Sequence, residues 1–147
     1  MRTPRRRLLA LAAVAGAALT LLTPTAAFAA YSGDETNYTA VSSGPAGVEG
    51  SDGYGDYNCI YSTGVKACFM PAGDKLYVRD VTADGYTAVL QWSTNGRTGS
   101  CVNNLGAGNW GLCDKDFTED KLIHISAARY KSGNYVDGSP GSIWLYT

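Results

Sequence analysis

The chain has 147 residues, with 12 Lys or Arg, 13 Asp or Glu, one His and four Cys. Four of the basic residues (Arg2, Arg5, Arg6, Arg7) lie in the first seven positions, and the rest of the chain carries eight basic and thirteen acidic residues, a net charge of −5. That balance excludes nucleic acid, which needs a positive surface, and argues against anionic polymers as long-range partners.

The N-terminus reads as a targeting segment. A basic stretch, MRTPRRR, precedes the apolar run Leu8–Leu22, and Ala27-Phe28-Ala29 fits a small-residue cleavage site. Residues 1–29 are therefore expected to be a signal peptide. The apolar run is shorter than the roughly 20 residues a spanning helix needs. Arg5-Arg6 before Leu8-Leu9 fits the twin-arginine route as well as the general secretory one. No second apolar run follows. The expected product is secreted, monomeric and free of the membrane.

Residues 30–58 differ from the rest. They hold six Gly and four Ser, with only Val41 and Val48 as branched aliphatics. This composition predicts a flexible Gly/Ser-rich arm, with room for a short strand near Tyr38–Val41.

From Cys59 to residue 147 the pattern is all-β. In CIYSTGVKAC (Cys59–Cys68) a two-residue turn at Thr63-Gly64 pairs Ser62 with Val65 and brings Cys59 opposite Cys68. That position is a non-hydrogen-bonded pair with Cα atoms about 4.5 Å apart, within the span of a disulfide. KLYVRDV and YTAVLQWS flank a loop at Ala83-Asp84-Gly85, with Gly85 at positive φ. This predicts a hairpin with Leu76 opposite Trp92 and Val78 opposite Leu90. Asn95-Gly96 signals a second hairpin. CVNNLGAGNWGLC (Cys101–Cys113) predicts a third, in which Gly106-Ala107-Gly108 turns, Asn104 faces Trp110, Val102 faces Leu112 and Cys101 meets Cys113. Asp114–Lys121 is the one plausible helical turn. LIHISAARY (Leu122–Tyr130), a turn at Ser132-Gly133-Asn134 and a last strand IWLY (Ile143–Tyr146) complete the chain. The fold expected is a single antiparallel β-sandwich or small barrel of about seven or eight strands. Two hairpin disulfides, Cys59–Cys68 and Cys101–Cys113, staple it in an oxidising compartment; four cysteines formally allow three connectivities.

Few residues could carry chemistry. His124 is the only histidine, there is no G-x-S-x-G elbow, and no cysteine is left over as a nucleophile. Asp114, Asp116, Glu119 and Asp120 are clustered, but so many acids on a short turn read as a solvated face. They lack the EF-hand glycine and the Glu at the twelfth position. The cysteine spacing has no C-x-x-C for zinc. No enzyme, metal or cofactor is expected.

Aromatic residues remain. Trp92 shares a face with Leu90 and reads as core. Trp110 lies near a hairpin tip. If Ile143 and Leu145 face the core, Trp144 and Tyr146 face outward, and exposed rings of that size mark a contact surface. The chain is thus expected to be a non-catalytic binding module. Its first candidate partner is an extracellular glycan stacked on Trp110, Trp144 and Tyr146. The alternative partner is an extracellular hydrolase, inhibited by the rigid loop Asn104–Asn109.

The stretch ACFMPAGDKLYVRD (Ala67–Asp80), followed by the A-D-G-x-x-A-V and C-V-N-x-L-G-x-G-x-W-G-x-C patterns, resembles small exported proteins of actinomycetes. The likeness runs from about Cys59 to the end and implies export and a shared β fold. In size and cysteine count alone the chain is similar to small secreted inhibitors of proteases and amylases. It lacks the reactive-site pattern of the former and the Trp-Arg-Tyr loop of the latter.

Overall fold

Strands with apolar residues at every second position need one buried face, and two such sheets can bury each other. The computed structural model describes residues 31–50, 54–139 and 142–147, and the expected signal peptide lies outside them. Twelve strands are present among the described residues: β1 (Glu35–Tyr38), β2 (Ala40–Ser42), β3 (Glu49–Gly50), β4 (Tyr57–Ser62), β5 (Val65–Met70), β6 (Lys75–Asp80), β7 (Thr87–Thr94), β8 (Arg97–Val102), β9 (Trp110–Asp114), β10 (Leu122–Lys131), β11 (Asn134–Gly138) and β12 (Ile143–Tyr146). The first sheet runs β1-β8-β7-β10-β11, with β12 also on β10; the second runs β2-β9-β6-β5-β4-β3. The expected all-β sandwich is present, with more and shorter strands than anticipated.

The core is the layer between the sheets. Leu90, Ile123 and Ile125 point in from the first sheet, and Val65, Phe69, Leu76 and Val78 from the second, all essentially without solvent contact. The turn at Thr63-Gly64 forms, and Cys59 pairs with Cys68 in the expected register. Asn95 and Gly96 both take positive φ between Thr94 and Arg97, the hairpin their sequence predicts. Ser132 and Gly133 do the same between Lys131 and Asn134.

Two predicted hairpins are corrected. β6 and β7 do not pair. Leu76 pairs with Phe69 and Cys113 in the second sheet, and Trp92 with Ile125 and Gly99 in the first. All four apolar residues, Leu76, Val78, Leu90 and Trp92, do enter one core cluster, but from opposite sheets rather than side by side. Between them a chain of local bonds turns the backbone: Thr82 N–H donates to Asp80, and Tyr86 N–H to Asp84. Gly85 has the expected positive φ.

β8 and β9 likewise lie in opposite sheets. Val102 pairs with Val89 and Leu112 with Tyr77, so neither Val102–Leu112 nor Asn104–Trp110 forms. The disulfide Cys101–Cys113 exists, but it ties sheet to sheet, with Cα atoms 5.9 Å apart. Asn103 explains the crossing. Its buried amide donates to the carbonyls of Val78 and Asn109 and accepts from the Leu105 N–H. A side chain that satisfies three backbone groups replaces the ladder a hairpin would have supplied.

Asp114–Lys121 contains no helix. Phe117 instead enters the core beside Trp92 and Phe69, with ring centroids 5.0 and 6.4 Å away. Its N–H donates to the carboxylate of Asp74 at 2.7 Å.

The segment expected as an arm supplies β1, β2 and β3. Tyr31 packs on the outer face of the first sheet against Val89, Val102 and Tyr130. β1 then runs parallel to β8, Thr39 carries the chain across, and β2 pairs with β9. Residues 43–48 cross the outside of the second sheet to β3, at its far edge. Gly44 sits on the Trp110 indole, where a Cβ would come within 2.8 Å of the ring nitrogen.

Candidate functional site

β12 pairs with the first half of β10, Leu122 opposite Tyr146 and His124 opposite Trp144. Alternation then puts Ile143 and Leu145 inward and Leu122, His124, Trp144 and Tyr146 outward. Leu145 is buried, while Trp144 is 60% and Tyr146 65% exposed. This corner of the first sheet is where exposure of Trp144 and Tyr146 was expected. His124 holds the indole from one side, with ring centroids 4.6 Å apart and planes at 45°.

Beside Trp144 lies a shallow trough in two parts. A hollow of about 230 Å³ is lined by Trp144, Leu122, Ser93 and Thr98. A second, of about 200 Å³, continues past His124 to Gln91, Ser126 and the backbone of Ser32-Gly33. The polar groups here are held in place. Ser126 Oγ donates to Gln91 Oε1 at 3.2 Å, and Gln91 Nε2 donates to the Tyr130 hydroxyl at 2.8 Å. Thr98 Oγ1 donates to Asp34. A flat ring over an indole with fixed amide and hydroxyl groups alongside suits a ligand that has an apolar face and hydroxyl edges.

A separate opening lies between β12 and the β3–β4 edge of the second sheet. It holds hollows of about 550 Å³ and about 460 Å³. Glu49, Tyr61, Ile143 and Leu145 line the first, and Tyr54, Pro71, Leu145 and Tyr146 the second. The Tyr61 hydroxyl donates to Glu49 at 2.6 Å and Lys66 Nζ at 2.7 Å. Partial burial works to raise the Glu49 carboxyl, but hydrogen bonds from Lys66 and Tyr61 outweigh it and hold the group below its ordinary value.

The other candidate residues are not brought to this corner. Trp110 faces out from the second sheet, half-buried, with its ring edge-on to Tyr77 at 6.5 Å. Lys66 and Arg79 lie 5.9 and 5.8 Å from its centre, and Gly44 covers it. Trp110 is therefore already stacked upon by its own chain. Asn104 and Asn109 are exposed on the crossing loop. That loop is fixed by Asn109 Nδ2 donating to Leu105 O, by Arg79 Nε donating to Gly108 O, and by Gly108 N–H donating to Asp80 O. Asp114, Asp116, Glu119 and Asp120 are all exposed, and no group of three metal-type ligands forms among the described residues.

Sequence reasoning missed Gln91, Ser93, Thr98 and Ser126 as trough residues. The signal was present: on β7, Gln91 and Ser93 alternate with Leu90 and Trp92, so polar and apolar faces are separated. Glu49 and Tyr54 were missed because they lie in the segment expected to be an arm, and Tyr61 because its hydroxyl partner Glu49 lies there too.

No protein family, curated protein or solved structure matches the chain.

Proposed function

We propose that the protein is an exported, non-catalytic module that binds an extracellular glycan on the outer corner of the first sheet. One observation carries this reading: Trp144 presents most of its indole to solvent, propped by His124, at the head of a trough of fixed polar groups. The apolar face of a sugar ring would lie on Trp144. Its hydroxyls would meet Ser93, Thr98, Gln91 and Ser126. Export is supported by the leader sequence and by two disulfides, which persist in oxidising compartments.

The test is co-sedimentation of the secreted protein with washed insoluble cell wall, chitin and cellulose. One polymer is expected to deplete the supernatant. Trp144→Ala should weaken that binding about ten-fold or more, as loss of a central aromatic anchor does. Trp144→Phe should keep part of it. Depletion by none of the polymers, or depletion that Trp144→Ala leaves unchanged, would remove the proposal.

The crossing loop supports a second reading, inhibition of a secreted hydrolase. Asn103, Arg79 and Cys101–Cys113 fix Asn104–Asn109 before any partner arrives, which lowers the cost of binding. Failure of a panel of secreted proteases and amylases to be inhibited would dispose of it.

A further inference from the structure

β12 is an edge strand of unusual make-up. Among the described residues it pairs with β10 alone. The Thr147 N–H donates to Lys121 O, and with the β10–β12 register this fixes the alternation of backbone groups. Ile143, Leu145 and Thr147 turn their N–H and C=O toward β10. Trp144 and Tyr146 therefore turn theirs away, into the opening between β12 and β3–β4.

Edge strands are normally protected by charge, proline, bulges or a covering segment, because unpaired backbone groups are a template for another strand. Ile143–Tyr146 carries no charge, no proline and no glycine. β11, on the same side of β10, pairs across a bulge and carries Asp137. Across the opening, the described residues of β3 pair with β4 at Tyr57 and Asn58. The two hollows flank Leu145, and apolar or aromatic side chains (Ile143, Leu145, Tyr54, Tyr146) line them.

We propose that this opening takes an extended segment of another protein. The segment adds to β12 through the backbone of Trp144 and Tyr146 and sets apolar side chains, at alternate positions, into the hollows beside Leu145. Backbone groups spaced along a strand select a strand as the occupant. A gap between two sheet edges admits one strand more readily than a second whole sandwich. Glu49, ionised between Tyr61 and Lys66, disfavours an acidic side chain at its end of the gap. The proposal is independent of the glycan reading, which rests on the outer face of the same strand.

The test uses random short peptides displayed against the immobilised protein, with enriched sequences then synthesised. Enriched peptides are expected to carry apolar residues at alternate positions and to slow hydrogen exchange at the Trp144 and Tyr146 amides. Tyr146→Pro removes an outward N–H without removing a bond to β10, a position where edge strands accept proline. It should weaken binding about ten-fold or more, the scale of a lost hydrogen bond that leaves its partner unpaired, while Tyr146→Thr stays within about three-fold. Three results would overturn the proposal: no enriched sequence, equal loss from Pro and Thr, or a wild-type dimer that Tyr146→Pro dissolves, which would give the opening to a second copy. If Tyr146→Pro fails to fold, amide exchange in the wild-type protein decides alone: unchanged exchange at Trp144 and Tyr146 with peptide bound overturns the idea.

Discussion

Along the β8–β9 side of the sandwich, β1 and β2 extend both sheets, Thr39 carries the chain between them, and Cys101–Cys113 ties one sheet to the other. Along the β12–β4 side no disulfide joins the sheets, and the gap holds the two largest of the hollows described above. One side is closed by covalent, paired and charged contacts. The other leaves aromatic rings and strand-edge backbone facing water. Regions that bind are commonly drawn from the less constrained parts of a fold. The chain has put its constraints where it changes sheets, and its open surface at the opposite side.

The largest expected effect tests whether the closed side carries stability beyond its loop length. Replacing Cys101 and Cys113 by Ala should cost about 3 kcal/mol by the chain-entropy model, a fall in Tm of roughly 10 °C or more. The same model gives Cys59–Cys68 nearly as much, about 2.7 kcal/mol. That pair, however, joins neighbours that the Thr63-Gly64 turn already aligns within one sheet. Cys101–Cys113 joins two sheets whose strands share no ladder. Removal of the second bridge should therefore cost clearly more than removal of the first, by calorimetry. Equal losses would mean that sheet-to-sheet tethering adds nothing.

Next in size is Gly99→Ala. A Cβ there would come 2.5 Å from the Glu35 carbonyl oxygen and 2.5 Å from the Trp92 ring, so β1 or the indole must move. About 2 kcal/mol is expected, within the range for overpacking. Gly96→Ala is the comparison. No atom lies within 4 Å of its added methyl, and only its positive φ is strained. About 1 kcal/mol is expected for it. Urea midpoints that rank Gly96→Ala as the more damaging would break the view that β1 is tightly seated.

The turns were legible because their signals are local. Thr63-Gly64, Asn95-Gly96 and Ser132-Gly133 each place a residue that tolerates positive φ where the chain reverses. The inward and outward faces of β12 were legible because period two is a property of one strand. Sheet membership was not. The apolar match of Leu76 with Trp92 holds whether two strands lie side by side or face each other across a core. At the β8–β9 crossing Asn103 bonds the backbone of Val78, 25 residues away, a long-range contact that no local pattern announces. The segment 31–50 was misread for a related reason. Its strands are two to four residues long and add to sheets built by later sequence, so its own pattern is weak.

The subtlest prediction concerns Glu35, which anchors β1. Arg97 and Lys115 hydrogen-bond its carboxylate, Arg97 through Nε at 2.8 Å and Nη2 at 3.1 Å and Lys115 through Nζ at 2.7 Å. Arg97 first, then Lys115, lowers its pKa to about 2 from an ordinary 4.5. A carboxyl with a lowered folded pKa stabilises fully above its unfolded value and loses that contribution as pH falls toward the folded one. Glu35→Gln should therefore be less stable than the wild type at neutral pH. The gap should narrow as pH drops from about 4.5 toward about 2. Other carboxylates titrate in both proteins, so the difference isolates this one. Protection from hydrogen exchange in the wild type, corrected for the intrinsic pH dependence of amide exchange, should fall more at β1 and β8 across the same window than at the β10-bonded Ile143 and Leu145 amides of β12. A gap that stays constant with pH would detach the closed side from its ion pairs and leave pairing and the disulfide as what holds it.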